Sequence, residues 1–539
     1  MQRYPGFLRR HCNAVLTLAS RVPVLDTEIS YLDYPLIDSR DKQVINELQN
    51  FCGTYAFNYC RVFVEVRWLL KLSEIPEVKE IPIFSQESRA FLENIIYEFN
   101  MNEALEVNKI EEATNYDAKA ILYYLKQKCK SDSEVSKVLE FFPSMCSLED
   151  INHLAYGLLV KDAIDHVIFP VMTDLCKAFC AMARNNAHIL MLSHTHGQAS
   201  PTTLGKEMAT FAFRLGFWAH RTSVECIFGN FSGVVGNYNA CKIAYPDINW
   251  PRIAQEFVTS LGLQFNPYAT QLESHHYMVE LCDNLVNFNN VLADFTDEVR
   301  SCISRGYFEQ KRKEGKTESC TMPRKLDPFN FANCSGNLSM ANGSLSDLSK
   351  LICTSHRKTM KAEEIASCTM PSIDFGNGLS FPMVKEDLSD ISRNCVHLSE
   401  EVMQSDLTNM LLFDTRLGLV HSLVAYKKFL KAIEKLQVNQ TRLAKDLDKN
   451  WAVLVDTIQT VMERYAVPEP YEKLKELTRG GDTDKESISS FIRVCLDRSG
   501  IENRNKKFRF ACLFLFLCKT NGIRIRNLGP YSYTNKTMV

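Results

Sequence analysis

The run from Met278 to Ile303 reads MVELCDNLVNFNNVLADFTDEVRSCI. Its apolar residues Leu281, Leu285, Phe288, Leu292, Phe295, Val299 and Cys302 recur at steps of four and three in alternation. An α-helix turns once in about 3.6 residues, so this spacing lines all seven along one stripe. That is the a/d seam of a long helix in a bundle. The seam predicts core packing, placed at a subunit interface.

Working outward, helical spacing recurs. From Ile151 the chain is apolar at helical spacing for a long way, broken at Pro170. Phe63 to Leu72 carries Val64, Val66, Trp68 and Leu69 for one packed face, and Leu436 to Val461 reads as a further helix pair. The fold class is mainly α. The chain has 539 residues, enough for a large core and two or three domains. With 45% hydrophobic and 23% charged residues it has the composition of a soluble globular protein. A net charge of -2 provides no field for gathering nucleic acid. The 19 cysteines are scattered without zinc-type pairing, as expected of reduced thiols in a reducing compartment. Asn-x-Ser/Thr triplets at Asn333 and Asn342 carry little weight without a secretory signal. No apolar stretch reaches the roughly 18 residues of a membrane span, and the longest tail run, Phe510 to Cys518, is too short. The first 25 residues hold Arg3, Arg9, Arg10 and Arg21 and no acid. They resemble an organelle transit peptide poor in serine, or are simply a basic terminus. The expected location is intracellular: cytoplasm, or a plastid or mitochondrion if that terminus is a transit peptide.

A second stretch carries the chemistry: Glu318-Ser319-Cys320-Thr321-Met322-Pro323-Arg324-Lys325-Leu326-Asp327-Pro328, flanked by Lys311, Arg312, Lys313 and Lys316. Small, polar and basic residues mark a loop. It is either an ordinary surface loop or one that closes over an anionic substrate with Ser319 and Lys325. The sequence S-C-T-M-P at Ser319 to Pro323 returns at Ser367 to Pro371, and L-S-D-L-S-K at Leu345 to Lys350 returns as L-S-D-I-S-R at Leu388 to Arg393. Two ordered echoes point to a local duplication. The second copy lacks the lysine, so the first is the working loop. One helix path cannot hold both copies, so the segment 351–398 is expected to protrude or be poorly ordered. Earlier in the chain, Ser193-His194-Thr195-His196-Gly197-Gln198 contains a His-x-His that alone is structural or catalytic; a metal site would need more ligands.

The loop resembles the signature loop of the fumarase/aspartase superfamily of lyases, G-S-S-x-M-P-x-K-x-N-P. Ser319, Met322, Pro323, Lys325 and Pro328 match, whereas Glu318, Cys320 and Asp327 depart. Other blocks narrow the resemblance to the adenylosuccinate lyase family, over roughly Pro35 to Ile492. Among them are Cys146 to Asn152 (C-S-L-E-D-I-N), Thr202 to Glu207 (T-T-L-G-K-E), Gly236 to Ala240 (G-N-Y-N-A), Thr270 to Glu273 (T-Q-L-E), Met403 to Thr408 (M-Q-S-D-L-T) and Pro468 to Gly480. There are losses as well. Asp41 stands where the family has a Tyr beside Arg40, Tyr116 replaces a His, and Leu148 lacks a hydroxyl. Ser405 replaces an Arg, and the family's phosphate-binding arginine is unrecognisable around Leu411 to Asp414, with Arg416 nearest.

The resemblance implies a fumarase/aspartase-like three-domain architecture. Its parts are an extension at 1–32, an N-terminal helical domain at 33–148, a central long-helix bundle at 149–430 and a C-terminal helical domain at 431–539 with a divergent tail. The bundle would carry the signature loop at 316–328 and the inserted repeat at about 351–398. The implied reaction is β-elimination of fumarate from a succinylated purine nucleotide, with Ser319 as general base and His196 as general acid. Arg40, Asn115, Asp117, Ser147, Thr195, Gln271, Lys325 and Asn337 would bind substrate, and His275 fits the histidine that follows the glutamine block. No metal or organic cofactor is required. The family also implies a homotetramer whose sites are shared between subunits. Two functions follow from these matches and losses. One is an active lyase of purine nucleotide synthesis. The other is an inactive paralogue that assembles with an active lyase, since each lost charge-assisted phosphate contact costs about 1.5–3 kcal/mol.

Overall fold

The computed structural model describes residues 41–49, 51, 53–114, 116–142, 144–193, 200–269, 274–310, 329–354, 400–464, 467–479 and 486–491. The expected N-terminal extension, the signature loop and the second loop copy lie outside these residues, as does the tail beyond 491.

An N-terminal helical set comprises α1 (Lys42–Gln49), α2 (Thr54–Ser73), α3 (Gln86–Tyr97), α4 (Met101–Thr114) and α5 (Asp117–Cys129). Trp68 on α2 is buried here, its ring 4.4 Å from Phe231 and 5.0 Å from Phe257. The bundle opens with α6 (Leu148–Ala163), which runs through a π-helical turn at Ile164–Ile168 into α7 (Phe169–Asn185). The break expected at Pro170 is thus absorbed without ending the helix. Proline has no N–H to give, and a widened turn accommodates the lost bond. By length and composition Leu148–Asn185 could cross a membrane. Its buried Asp150, Asn152, His153 and Asp162, and its packing against neighbouring helices, are those of a bundle core.

The bundle continues with α8 (Leu204–Val224) and two shorter helices, α9 (Asn239–Ala244) and α10 (Trp250–Ser260). The long helices α11 (His276–Ser304), α12 (Phe329–Thr354) and α13 (Glu400–Ile433) complete it. All seven seam residues of α11 are 2% exposed or less. The chain's own helices cover the seam, so its packing needs no second copy. Phe295 meets Phe179 and Phe211 edge-on at 4.6 and 5.3 Å. Asn289 fixes the register of three helices: its Nδ2 donates to Asn342 and Ser422, and its Oδ1 accepts from Tyr426 at 2.7 Å. A buried amide satisfied in only one register selects that register. The apolar residues left exposed on the bundle include Phe213, Phe217 and Val224, on one side of α8.

The strands are short and paired in twos: β1 (Leu190–Ser193) with β2 (Ser200–Thr203), β3 (Phe228–Gly229) with β4 (Gln264–Phe265), and β5 (Phe308–Gln310) with β6 (Leu436–Val438). They serve as struts at the ends of helices. After β6 come α14 (Gln440–Lys449), α15 (Val455–Arg464) and α16 (Pro470–Thr478). Leu447, Trp451, Leu454, Ile458, Met462 and Leu474 form a second, smaller core that also takes in Leu192 of β1.

Candidate active site

Ser147 starts α6 as its N-cap. Its Oγ accepts from the Asp150 N–H at 3.0 Å while its own N–H donates to Asp150 Oδ2 at 2.8 Å, a reciprocal capping box. Asp150 is fully buried and also accepts from the N–H groups of Ser232 and Gly233. Burial raises its pKa, and those N–H donors pull the other way. Gly233 has φ +79, a conformation that suits glycine, so the turn can present its N–H to the carboxylate. One acid thus fastens the 232–238 turn to the start of α6. Ser147 is 7% exposed, and its side chain also hydrogen-bonds the Asp150 carboxylate.

Asp117 begins α5 and pairs with Arg61 of α2, Oδ2 to Nη2 at 2.7 Å. Arg61 is buried; it donates through Nε to Asn152 on α6 at 2.8 Å and stacks 4.2 Å above the Phe57 ring. Glu149 lies beside this group. Burial raises its pKa, against hydrogen bonding from Asn152 and the Arg61 charge. So Asp117, assigned to substrate by resemblance, spends one oxygen on an internal cation.

Asn337 on α12 is likewise committed. Its Nδ2 donates to Asn333 O and Oδ1 at 2.9 Å, and its Oδ1 lies 2.9 Å from His421 Nδ1 on α13. Burial, and then the Lys428 charge, lower the His421 pKa to about 4, so this imidazole is neutral near pH 7 and its Nδ1–H donates to Asn337.

The other candidates, Arg40, Asn115, Thr195, His196, Gln271, Ser319 and Lys325, lie outside the described residues. Their chain neighbours are described. The 194–199 stretch joins β1 to β2, and α8 follows β2 directly. There Gly205 is required by close approach: a Cβ on it would sit 2.4 Å from Ala187 Cα. The 270–273 stretch leads into His275, which adopts a left-handed φ of +52 just before α11. His275 Nε2 lies 3.1 Å from His153 Nδ1 on α6 and His275 Nδ1 lies 3.3 Å from Tyr277 OH. Burial lowers the His153 pKa to about 4, so the imidazole is uncharged near neutral pH.

Sequence reasoning missed Arg61, Glu65, His153 and Lys428. Arg61 and Glu65 had a detectable signal, since they are charged residues four apart on a helix that is otherwise buried. Among the described residues no group of three His, Cys, Asp or Glu side chains is placed to hold a metal ion. The described cysteines are free thiols.

A family model described as "Lyase" matches residues 47–343. A second, "Adenylosuccinate lyase C-terminal", matches 401–507, and the unmatched interval between them contains the repeated segment. Among solved structures, a fumarate lyase from Mesorhizobium aligns with TM-score 0.57 at 13% identity, covering 87% of this chain and 93% of that one. A β-carboxy-cis,cis-muconate cycloisomerase from Acinetobacter calcoaceticus aligns with TM-score 0.56 at 11% identity, covering 87% and 97%. The helical bundle is therefore that of the fumarase/aspartase superfamily. Within curated sequences, the adenylosuccinate lyase of Haemophilus influenzae is 37% identical over 457 residues, 85% of this chain and 90% of that one. That of Escherichia coli is 38% identical over 458 residues with the same coverage. The chain belongs to the adenylosuccinate lyase family, a family of carbon–nitrogen lyases.

Proposed function

We propose that this chain cleaves adenylosuccinate to AMP and fumarate, and the succinyl-aminoimidazole-carboxamide ribotide in the same way. The observation that carries the reading is family membership across both matched regions, together with the retained Ser319, His196 and Lys325. The β-proton of the succinyl group passes to Ser319, the C–N electron pair leaves with the nitrogen, and His196 protonates that nitrogen. Serine is a poor base in water. It can act as one only where a closed, dry site stabilises its alkoxide, and Lys325 is the cation the sequence offers for that. A histidine is the residue type suited to protonate the leaving nitrogen near neutral pH, and His196 is the one at the family position. Gln271, Thr195 and Ser147 hold the succinyl carboxylates, Arg40 takes the nucleotide phosphate, and Asn115, Asp117, Lys325 and Asn337 complete the pocket.

The domains run 33–148, 149–430 and 431–539, with 351–398 inserted in the second. The working form is a homotetramer with sites shared between subunits. In support, Phe213, Phe217 and Val224 expose apolar surface along one side of α8. Free thiols suit a reducing intracellular compartment. Fumarate release from adenylosuccinate is the test. Turnover supports the reading; no fumarate from folded, assembled protein at saturating substrate overturns it.

A further inference from the structure

Two buried imidazoles that the proposed reaction leaves unused meet head to tail. His153 sits on the second turn of α6, and His275 is the residue just before α11. His153 Nδ1 lies 3.1 Å from His275 Nε2, with the ring centroids 5.0 Å apart. His153 is uncharged near neutral pH and so carries one N–H. Its Nε2 has no hydrogen-bond partner among the described residues. A proton on that nitrogen would be a buried donor without an acceptor, whereas the same proton on Nδ1 is used. His153 therefore donates from Nδ1 to His275 Nε2. As the acceptor, that nitrogen is unprotonated, which places the proton of His275 on Nδ1, 3.3 Å from the Tyr277 hydroxyl. His275 has φ +52, a conformation that a residue with a Cβ keeps only where its surroundings hold it. The two ring contacts supply that hold, with the Tyr156 ring standing edge-on at 5.5 Å. The turn also starts α11, since the Met278 N–H donates to His275 O at 2.8 Å.

We infer that His153 is a positioning residue for the proposed reaction: its Nδ1–H fixes the ring of His275 and, with it, the left-handed turn at the head of α11. It acts through His275 and not on substrate. The inference rests on the reading above through chain order alone, because the turn follows the 270–273 stretch and Gln271 is assigned there to a succinyl carboxylate. A group that binds substrate and transition state alike changes KM when it is lost and leaves kcat in place. The competing explanation is that His153 only fills space. The two explanations separate on substitution. Leucine keeps the bulk and loses the donor, whereas asparagine loses bulk and keeps an N–H near the place of Nδ1.

The test joins kcat and KM for adenylosuccinate to amide hydrogen exchange, read by mass spectrometry on the full chain. His153→Leu should raise KM about tenfold, leave kcat nearly unchanged and speed exchange at the Met278 amide. His153→Asn should stay within about twofold of wild type in KM and should keep the slow exchange. An asparagine variant as impaired as the leucine one, a fall confined to kcat, or unchanged exchange in His153→Leu would overturn the inference. If His153→Leu does not fold, Tyr277→Phe decides. It removes the hydroxyl at the other ring nitrogen of His275 and should raise KM severalfold at constant kcat; an unchanged KM overturns the idea. Wild-type protein that releases no fumarate overturns the functional reading, and this inference with it. Wild-type turnover with a silent His153→Leu overturns this inference alone.

Discussion

Arg61 Nη2 lies 2.7 Å from Asp117 Oδ2, and the same guanidinium reaches Asn152 Oδ1 at 2.8 Å. A single buried cation therefore joins α2, the start of α5 and the first bundle helix. Removing one partner of a buried pair strands the other charge, at a cost of about 3–5 kcal/mol. Asp117 is 19% exposed at its side chain, which places the cost near the lower end. Asp117→Ala is expected to lower unfolding free energy by about 3 kcal/mol, and Asp117→Asn by less because it keeps an acceptor. Urea unfolding midpoints check this; a loss for Asp117→Ala no larger than that of a surface alanine would contradict it.

Ser319→Ala should lower kcat for adenylosuccinate by several orders of magnitude while changing substrate binding little, because the base acts in the transition state. Ser367→Ala, in the copy that lacks the lysine, should leave the rate nearly unchanged. Steady-state kinetics of the two variants decide between the copies. Activity lost in Ser367→Ala and retained in Ser319→Ala would show that the second copy is the working loop.

Glu65 is 1% exposed, and its Oε2 has no hydrogen-bond partner among the described residues. Burial raises its pKa from 4.5 to about 8. A carboxyl with a raised folded pKa takes up a proton on folding, so its contribution to stability is present at low pH and is lost as pH rises from about 4.5 to about 8. Glu65→Gln keeps the shape and cannot ionise. Its stability relative to wild type should increase steadily across that range, measured by denaturant unfolding at several pH values. A difference independent of pH would show that Glu65 ionises freely.

Gly205 opens α8 against the end of α7, and a Cβ there would meet Ala183 O at 2.5 Å and Ala187 Cα at 2.4 Å. Both atoms are backbone, so relief requires moving a helix end. Gly205→Ala should cost about 1–3 kcal/mol, the usual range for overpacking. It should also lower kcat, since the strand before α8 follows the stretch that carries His196. Gly216→Ala, on the same helix with nothing within 4 Å of the added carbon, is the control. Equal melting temperatures for the two variants would rule out the close approach.

The sequence by itself determined the long helices. Alternating steps of four and three made α11 a seam helix, and each seam residue is buried as that period requires. The Ser147 to Asp150 capping box could also be read from the string, because a cap involves residues only three apart. Family motifs pointed to Ser319 and its loop in the same way, being local strings, and that reading lies outside the described residues. The seam's partner was not legible. Periodicity says that a face is buried but not by what, and the chain's own helices cover the face expected to meet a second subunit.

Only the tertiary structure decided the polar partnerships. Asp41 and Lys428 are 387 residues apart, and Arg61 and Asp117 are 56 apart. Read in order, Asp41 is a defect beside a phosphate residue and Asp117 a free carboxylate for substrate. In the fold each is half of an ion pair. A charge's partner is set by where the chain returns to the same place, and no local pattern encodes that return. Helix period and capping depend on neighbours within a turn or two and can be read from the string. Ion pairing in a core depends on distance and burial, which exist only after the helices have packed.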